Sequence, residues 1–106
     1  MQNLESIHQT IKENPAVMLY FSAPTCNVCH ALKPKLLEAL NENFETFEVI
    51  SIDVSTDADI AAEFGVFAIP TVLVFLDGRE FLRKSRHMSV GEVISEIKRP
   101  YEIMMS

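Results

Sequence analysis

The segment 16–22 (AVMLYFS) constrains the fold of this chain more than any other part of it. Every residue in it except the last is apolar. A strand with one face in water alternates apolar and polar residues, whereas a strand covered on both faces is apolar almost throughout. We therefore expect residues 16–22 to form a central strand of a sheet that carries helices on both faces.

Helical spacing marks the segments on either side of this strand. Apolar residues recur every three or four positions near the start of the chain, which predicts a helix over residues 3–13. The same periodicity predicts a second helix from residue 26 to about residue 41. Pro34 lies inside this second helix, where it removes a backbone hydrogen bond and should kink it.

The middle of the chain predicts one strand and one short helix. Residues 47–53 (FEVISID) form a second apolar run of strand length. Thr56 and Asp59 have the spacing of a helix-capping pair, so we expect a short helix to begin there. Gly65 predicts its end, because glycine readily adopts the left-handed conformation that stops a helix.

A hairpin follows. Residues 71–76 read as a third strand and residues 79–85 as a fourth, separated by Asp77-Gly78. Asp-Gly between two strand-like runs is a strong signal for a two-residue hairpin turn. These two strands are therefore expected to be antiparallel neighbours in the same sheet.

A last helix is expected after the hairpin. Ser89 and Glu92 have the spacing of a capping box, which marks its start. Pro100 is predicted to mark its end, which leaves Met104 and Met105 in a frayed tail.

The order of these elements predicts an α/β fold. The first two strands are joined by a helix and should be parallel, with a right-handed crossover. The hairpin then extends the sheet, so that helices cover both of its faces. We expect a single domain over residues 1–106, built as a three-layer α/β/α sandwich.

Composition excludes several classes of function. The chain is 48% hydrophobic and 23% charged, as in a soluble globular protein, and its net charge is −6 with no basic tract. Binding to nucleic acid is driven by neutralisation of phosphates, so we expect no nucleic-acid partner. The apolar stretches, such as residues 72–76, are too short to cross a membrane. The first five residues show no signal peptide, so a cytoplasmic location is expected.

The chemistry is predicted to lie at Cys26 and Cys29, the two cysteines of the chain. A disulfide between them would close almost no loop and would add little stability, so such a pair is more often catalytic or metal-binding. Cys26 falls at the start of a predicted helix, where free N–H groups and the helix dipole stabilise a thiolate. Cys29 lies one turn further in and should be less exposed. Cys26 is therefore the expected nucleophile and Cys29 the resolving thiol.

Two other uses of these cysteines have weaker support. A closed zinc site would need two more ligands, and the spacing of the three histidines does not supply them. With His30, the segment also satisfies the attachment pattern for c-type haem. No export signal accompanies that pattern, so we interpret His30 as a partly exposed helix residue near the thiolate.

Large aromatic side chains are assigned to the core. Tyr20 is expected to pack there with its hydroxyl group bonded to a neighbour. The phenylalanines expected to be mostly core are Phe44, Phe47, Phe64, Phe67, Phe75 and Phe81.

Several stretches match, in the same order, the motifs of one family. They are residues 18–29 (MLYFSAPTCNVC), Pro34, Ile52-Asp53, residues 64–71 (FGVFAIPT) and Asp77-Gly78. On these stretches the chain resembles the thioredoxin family over nearly its whole length. The resemblance implies a thioredoxin-like fold and thiol–disulfide exchange at Cys26 and Cys29.

The resemblance also implies a substrate groove. In the family the peptide bond at the position that corresponds to Ile69–Pro70 is cis and faces the cysteines. The backbone just before that bond pairs with an extended client segment. The substrate-binding positions implied in this way are Thr25, Asn27, Val28, Ala68, Ile69 and Pro70.

The function that follows is a disulfide reductase. Its partners would be client proteins that contain disulfides, and a thioredoxin reductase or a small thiol would return the electrons. No bound cofactor or metal is implied, and a monomer is the simplest expectation. A binding module with this fold, or a redox sensor with weak turnover, is the alternative.

The chain departs from the family at several positions around the cysteines. It leaves no room for the extra edge strand that many members have, so we expect a four-stranded sheet in the order second, first, third, fourth. Thr25 stands where the family usually has tryptophan, and Asn27-Val28 stands in place of Gly-Pro. The reduction potential therefore cannot be copied from the family.

Two further departures concern charge. Tyr20 and Val49 occupy the positions of a buried acid and its neighbouring lysine. Tyr20 has an ordinary pKa of about 10 and is a poor base at neutral pH, so resolution by Cys29 would be slow or would use water or another group. Arg86, followed by His87 and Met88, stands near the family's glycine beside the groove, where it would narrow or charge the edge.

Overall fold

A four-stranded mixed sheet lies between two layers of helices in the computed structural model, which describes residues 2–106. The elements in chain order are α1 (Leu4–Glu13), β1 (Ala16–Ser22), α2 (Asn27–Asn43), β2 (Glu48–Asp53), α3 (Ala58–Glu63), β3 (Thr71–Leu76), β4 (Arg79–Ser85) and α4 (Val90–Met105). This is the predicted α/β/α architecture. No helix within residues 2–106 is both long and apolar enough to span a membrane.

The strand order is β2-β1-β3-β4, as expected from the missing edge strand. β1 is parallel to β2 and antiparallel to β3, and β3 and β4 form the antiparallel hairpin. The first six residues of β1 are buried, which confirms that it is covered on both faces. Met18 and Tyr20 contribute to one core cluster, whereas Leu19 and Phe21 contribute to the cluster on the opposite face of the sheet.

The capping residues predicted from the sequence are correct for α4 but not for α3. Ser89 caps α4 by accepting the N–H of Glu92 at 3.1 Å, as the sequence predicts. The capping pair predicted for α3 is wrong. The helix begins after Asp57, and the Thr56 hydroxyl group lies 3.3 Å from the backbone oxygen of Asp53. The hydroxyl group therefore contributes to the preceding turn instead of the helix.

The predicted end of α4 at Pro100 is also wrong, because the helix continues to Met105. Tyr101 is buried, its ring centroid lies 4.7 Å from that of Phe44, and its hydroxyl group donates to the Thr46 carbonyl at 3.2 Å. Met104 packs against the same core cluster. Tertiary contacts thus stabilise a final turn that the proline disfavours.

Two of the six phenylalanines assigned to the core are exposed. Phe67 is 85% exposed and Phe81 is 44% exposed. Phe81 falls in a break of the β3–β4 register, where Val74 pairs with Leu82 and Phe75 pairs with Glu80. Because Phe81 is the extra residue of this bulge, its side chain does not follow the inward alternation of the strand.

Candidate active site

The two cysteines lie where the central strand meets a helix. Cys26 is the N-cap residue of α2, with φ −89° and ψ 99°. Its sulfur accepts a hydrogen bond from the backbone N–H of Cys29 at 3.2 Å. The two cysteines are joined in a disulfide, with Cα atoms 5.3 Å apart. The predicted position of Cys26 at a helix N-terminus is therefore confirmed.

The two sulfurs are not equivalent. Cys29 is 1% exposed, whereas Cys26 is half-buried. When the disulfide opens, a thiolate on Cys26 would keep the Cys29 N–H as a partner and would lie at the positive end of the helix dipole. This arrangement has the asymmetry that two-step thiol–disulfide exchange requires.

Tyr20 supports the first turn of α2 from the sheet. Its hydroxyl group is buried and donates to the backbone oxygen of Cys29 at 2.8 Å. Burial raises the pKa of Tyr20 above its ordinary value of 10.0. The hydroxyl group therefore stays protonated at neutral pH and cannot act as a base. This confirms Tyr20 as a packed residue with a satisfied hydroxyl group.

His30 bridges the loop and the helix that flank Cys26. Its Nε2 atom lies 2.8 Å from the Pro24 carbonyl oxygen, and its backbone N–H donates to the Cys26 carbonyl at 3.2 Å. Within residues 2–106, no three His, Cys, Asp or Glu side chains lie close enough together to hold a metal ion. The exposed imidazole thus has a local structural partner, as a helix residue near the cysteines would.

The loop before β3 lies at the same edge of the sheet as the cysteines, since Phe21 of β1 pairs with Thr71 of β3. The Ile69–Pro70 bond is cis, as the resemblance implies. Cys26 and Ile69 pack against the same core cluster as Cys29. Ile69 also packs against the cluster on the opposite face, so the cis-proline loop lies between the two faces, at the same edge of the sheet as the disulfide.

The backbone of this loop is only partly satisfied. The Thr71 hydroxyl group donates to the Ala68 carbonyl at 2.6 Å, and the Arg86 N–H donates to the Pro70 carbonyl at 2.7 Å. Within the described residues, neither the N–H nor the C=O of Ile69 makes an internal hydrogen bond. Those two groups remain available to an extended segment of another chain.

The predicted groove residues differ in exposure. Thr25, Asn27 and Val28 are exposed, Ala68 and Ile69 are half-buried, and Pro70 is buried. Val28 is 61% exposed, which is high for an apolar side chain. Phe67, the neighbour of Ala68, was assigned to the core from the sequence, so its exposure beside the groove residues was not predicted. Its position in the loop between Gly65 and the cis-proline, outside any strand alternation, was a signal that it need not point inward.

Arg86 borders the same loop. Its φ of 60° lies in the left-handed region, which glycine adopts freely and other residues adopt at a cost of about 1–2 kcal/mol. The left-handed backbone and the hydrogen bond to Pro70 agree with the expectation that Arg86 replaces a glycine beside the groove. Its side chain is exposed.

Comparisons with known proteins give a consistent result. A sequence model of the thioredoxin family matches residues 2–99. The thioredoxin-like protein YdfQ of Bacillus subtilis is 35% identical over 103 residues, which cover 97% of this chain and 91% of that protein. The thioredoxin of the same species is 33% identical over 81 residues, which cover 76% of this chain and 77% of the relative.

Solved structures agree with these relatives. The oxidised form of mitochondrial thioredoxin 3 from Saccharomyces cerevisiae superposes with a TM-score of 0.81 at 26% identity, covering 92% of this chain and 91% of that one. A mutant thioredoxin from Halobacterium salinarum gives a TM-score of 0.80 at 25% identity, covering 95% of this chain and 87% of that one. The chain therefore belongs to the thioredoxin family and is a thiol–disulfide oxidoreductase.

Proposed function

We propose that this protein reduces disulfides in client proteins, with Cys26 as the nucleophile and Cys29 as the resolving thiol. The observation that carries the proposal is the unequal placement of the two sulfurs. Cys26 is reachable and bonded to a helix N–H, whereas Cys29 is 1% exposed directly behind it. A client disulfide can therefore approach Cys26 first.

The exchange runs in two balanced steps. The Cys26 thiolate attacks one sulfur of the client disulfide, a mixed disulfide forms, and the second client sulfur leaves as a thiolate that takes a proton from water. Cys29 then loses its proton and attacks Cys26, so the first client sulfur leaves in turn. The client gains two electrons, and the dithiol becomes the Cys26–Cys29 disulfide.

The proton released by Cys29 needs an acceptor. Tyr20 is the buried side chain hydrogen-bonded to Cys29 from the sheet, and it is already protonated at neutral pH. No carboxylate occupies its position. In the proposed mechanism water therefore accepts the proton.

The client segment binds along the cis-proline loop. The free backbone groups of Ile69 support strand addition, with Ala68 and Pro70 completing the contact. Thr25, Asn27 and Val28 cover the side of the groove next to the disulfide. These contacts lie mostly on backbone, which suits a protein that acts on clients of different sequence.

The oxidised protein then needs a separate electron donor. A thioredoxin reductase or a small thiol would reduce the Cys26–Cys29 disulfide, without any bound cofactor in this chain. We place this cycle in the cytoplasm and assign it to a monomer.

Reduction of a disulfide-bonded protein substrate by the dithiol form tests the proposal. Cys26→Ser should lower the rate by about a thousandfold or more, because the nucleophile is lost. Cys29→Ser should instead accumulate mixed disulfides with the client through Cys26. Unchanged reduction by Cys26→Ser would contradict the mechanism. Client binding that persists without either thiol, together with no turnover, would favour a binding module or a redox sensor.

A further inference from the structure

The backbone conformation of Arg86 does not explain why this residue is an arginine. Within residues 2–106, Asp77 and Arg86 are the two non-glycine residues with positive φ. Asp77 is explained by its turn, because two-residue hairpins of this type require positive φ and favour Asp-Gly. At Arg86 a glycine would adopt the same conformation without strain. The side chain itself is therefore the feature that needs a function.

The arginine is fixed directly beside the client-binding loop. Its N–H donates to the Pro70 carbonyl at 2.7 Å, one residue from the free backbone groups of Ile69. The preceding residue, Ser85, is hydrogen-bonded to the side chain of Thr71 at 3.0 Å. The end of β4 is thus attached to Thr71, the first residue of β3, and the residue after β4 is attached to Pro70 of the client-binding loop.

The charge of Arg86 has no use inside the fold. Of the three cations on β4, Arg83 pairs with Glu80 at 2.9 Å and Lys84 pairs with Glu92 at 2.8 Å and Glu96 at 2.7 Å, whereas Arg79, at the far end of the strand, makes no such pair within the described residues. Within the described residues, Arg86 has no such partner, and it is exposed. In a chain of net charge −6, this places an unpaired cation at the edge of the groove.

We propose that Arg86 is a specificity-determining residue that selects client segments with a carboxylate next to the reactive disulfide. The proposal rests on the proposed function and adds a substrate class to it. A guanidinium can pair with such a carboxylate once the segment lies along Ile69. Complementary charge at the rim also favours encounter with acidic segments and disfavours basic ones.

Disulfide-linked peptides that are identical except for one residue beside the cysteine test this proposal, with Glu, Gln or Lys at that position. The wild-type protein should reduce the Glu peptide with a kcat/KM about three to five times that for the Lys peptide at low salt, as expected for an exposed ion pair. The preference should shrink at about 0.5 M salt, where such pairs are screened.

Variants at Arg86 separate its charge from its backbone role. Arg86→Gln and Arg86→Gly should abolish the preference, Arg86→Lys should retain most of it, and Arg86→Glu should reverse it. For each variant the measured quantity is the ratio of its kcat/KM values for the Glu and Lys peptides, so a change in its overall activity does not enter the comparison. Arg79→Gln is the matched control, since Arg79 is also exposed but lies at the other end of β4.

Three results would overturn the proposal. One is a preference that Arg86→Gln retains, and another is an Arg79→Gln variant that loses the preference equally, which would assign it to net charge. The third is a wild-type protein that reduces all three peptides at equal rates. Failure of the proposed function is distinguishable, because the wild type would then reduce none of the peptides, or Cys26→Ser would reduce them unchanged.

Discussion

The two ends of helix α2 have opposite characters. At its N-terminus lies the disulfide, at the same edge of the sheet as the loop that carries the exposed Phe67 and the free backbone groups of Ile69. At its last turn lies a closed aromatic cluster in which Phe44 and Tyr101 pack together and the hydroxyl group of Tyr101 is bonded.

The two ends of α2 therefore have different roles: one carries the reactive disulfide, and the other stabilises the fold. The helix is 17 residues long, or about 25 Å, so the ends are far enough apart for changes to act independently. We expect substitutions at the aromatic end to change stability without changing catalysis. At the disulfide end, substitutions of exposed residues should do the reverse.

The largest effect should follow Tyr101→Ala. Loss of a buried aromatic ring costs about 3–5 kcal/mol in the free energy of unfolding, measured by urea denaturation of the oxidised protein. The kcat/KM for disulfide reduction should stay within about twofold of wild type, because sites this far apart rarely couple. Tyr101→Phe should cost only about 1 kcal/mol, since it removes the hydrogen bonds to Thr46 and keeps the ring. A parallel fall in kcat/KM would show that the two ends are coupled.

A smaller loss of stability is expected for Tyr20→Phe, which tests the hydrogen bond from the Tyr20 hydroxyl group to the backbone of Cys29. Removing the hydroxyl group from the Cys29 carbonyl should cost about 0.5–1.5 kcal/mol of unfolding free energy. Catalysis at neutral pH should persist, because this hydroxyl group accepts no proton. A loss of turnover comparable to that of Cys26→Ser would assign Tyr20 a chemical role.

The same variant carries a pH signature. Burial raises the pKa of Tyr20, so the folded protein holds this proton more tightly than the unfolded chain does. The resulting stability is fully present below about pH 10, the ordinary pKa of tyrosine, and is lost as the pH rises through the raised value. Unfolding free energies measured across this alkaline range should therefore fall more steeply for wild type than for Tyr20→Phe. If the unfolding free energies of the two proteins fell equally steeply with pH, the raised pKa of Tyr20 would be contradicted.

The smallest effect should follow Phe67→Ser at the groove. Phe67 is 85% exposed, so its loss should leave the melting temperature almost unchanged. If its ring contacts client segments, kcat/KM for a protein disulfide should fall about threefold, as for loss of a modest apolar contact. Phe81→Ser is the control, since Phe81 is also an exposed aromatic residue but lies in the bulge of β4. Equal decreases in kcat/KM in the two variants would show that Phe67 does not contact the client.

The elements follow largely from the sequence. β1, β3 and β4 have the predicted bounds, and α1 and β2 agree with the predictions to within one residue at either end. These predictions succeed because apolar runs, helical spacing and Asp-Gly turns act over a few neighbouring residues. The position of Cys26 at the start of a helix was predictable for the same reason.

The tertiary structure decided the features that depend on distant partners. Pro100 does not end α4, because Tyr101 packs against residues more than fifty positions earlier in the chain. Phe67 is exposed whereas Phe75 is buried, although the two residues are chemically identical, because Phe75 lies in β3, which is covered on both faces, and Phe67 lies in the loop before it. Local sequence alone therefore determined which segments form the helices and strands and where the cysteines lie. The free groups of Ile69, the bond from Tyr20 to Cys29 and the place of Arg86 beside Pro70 required the packed sheet, which brings together loops that lie far apart in the chain.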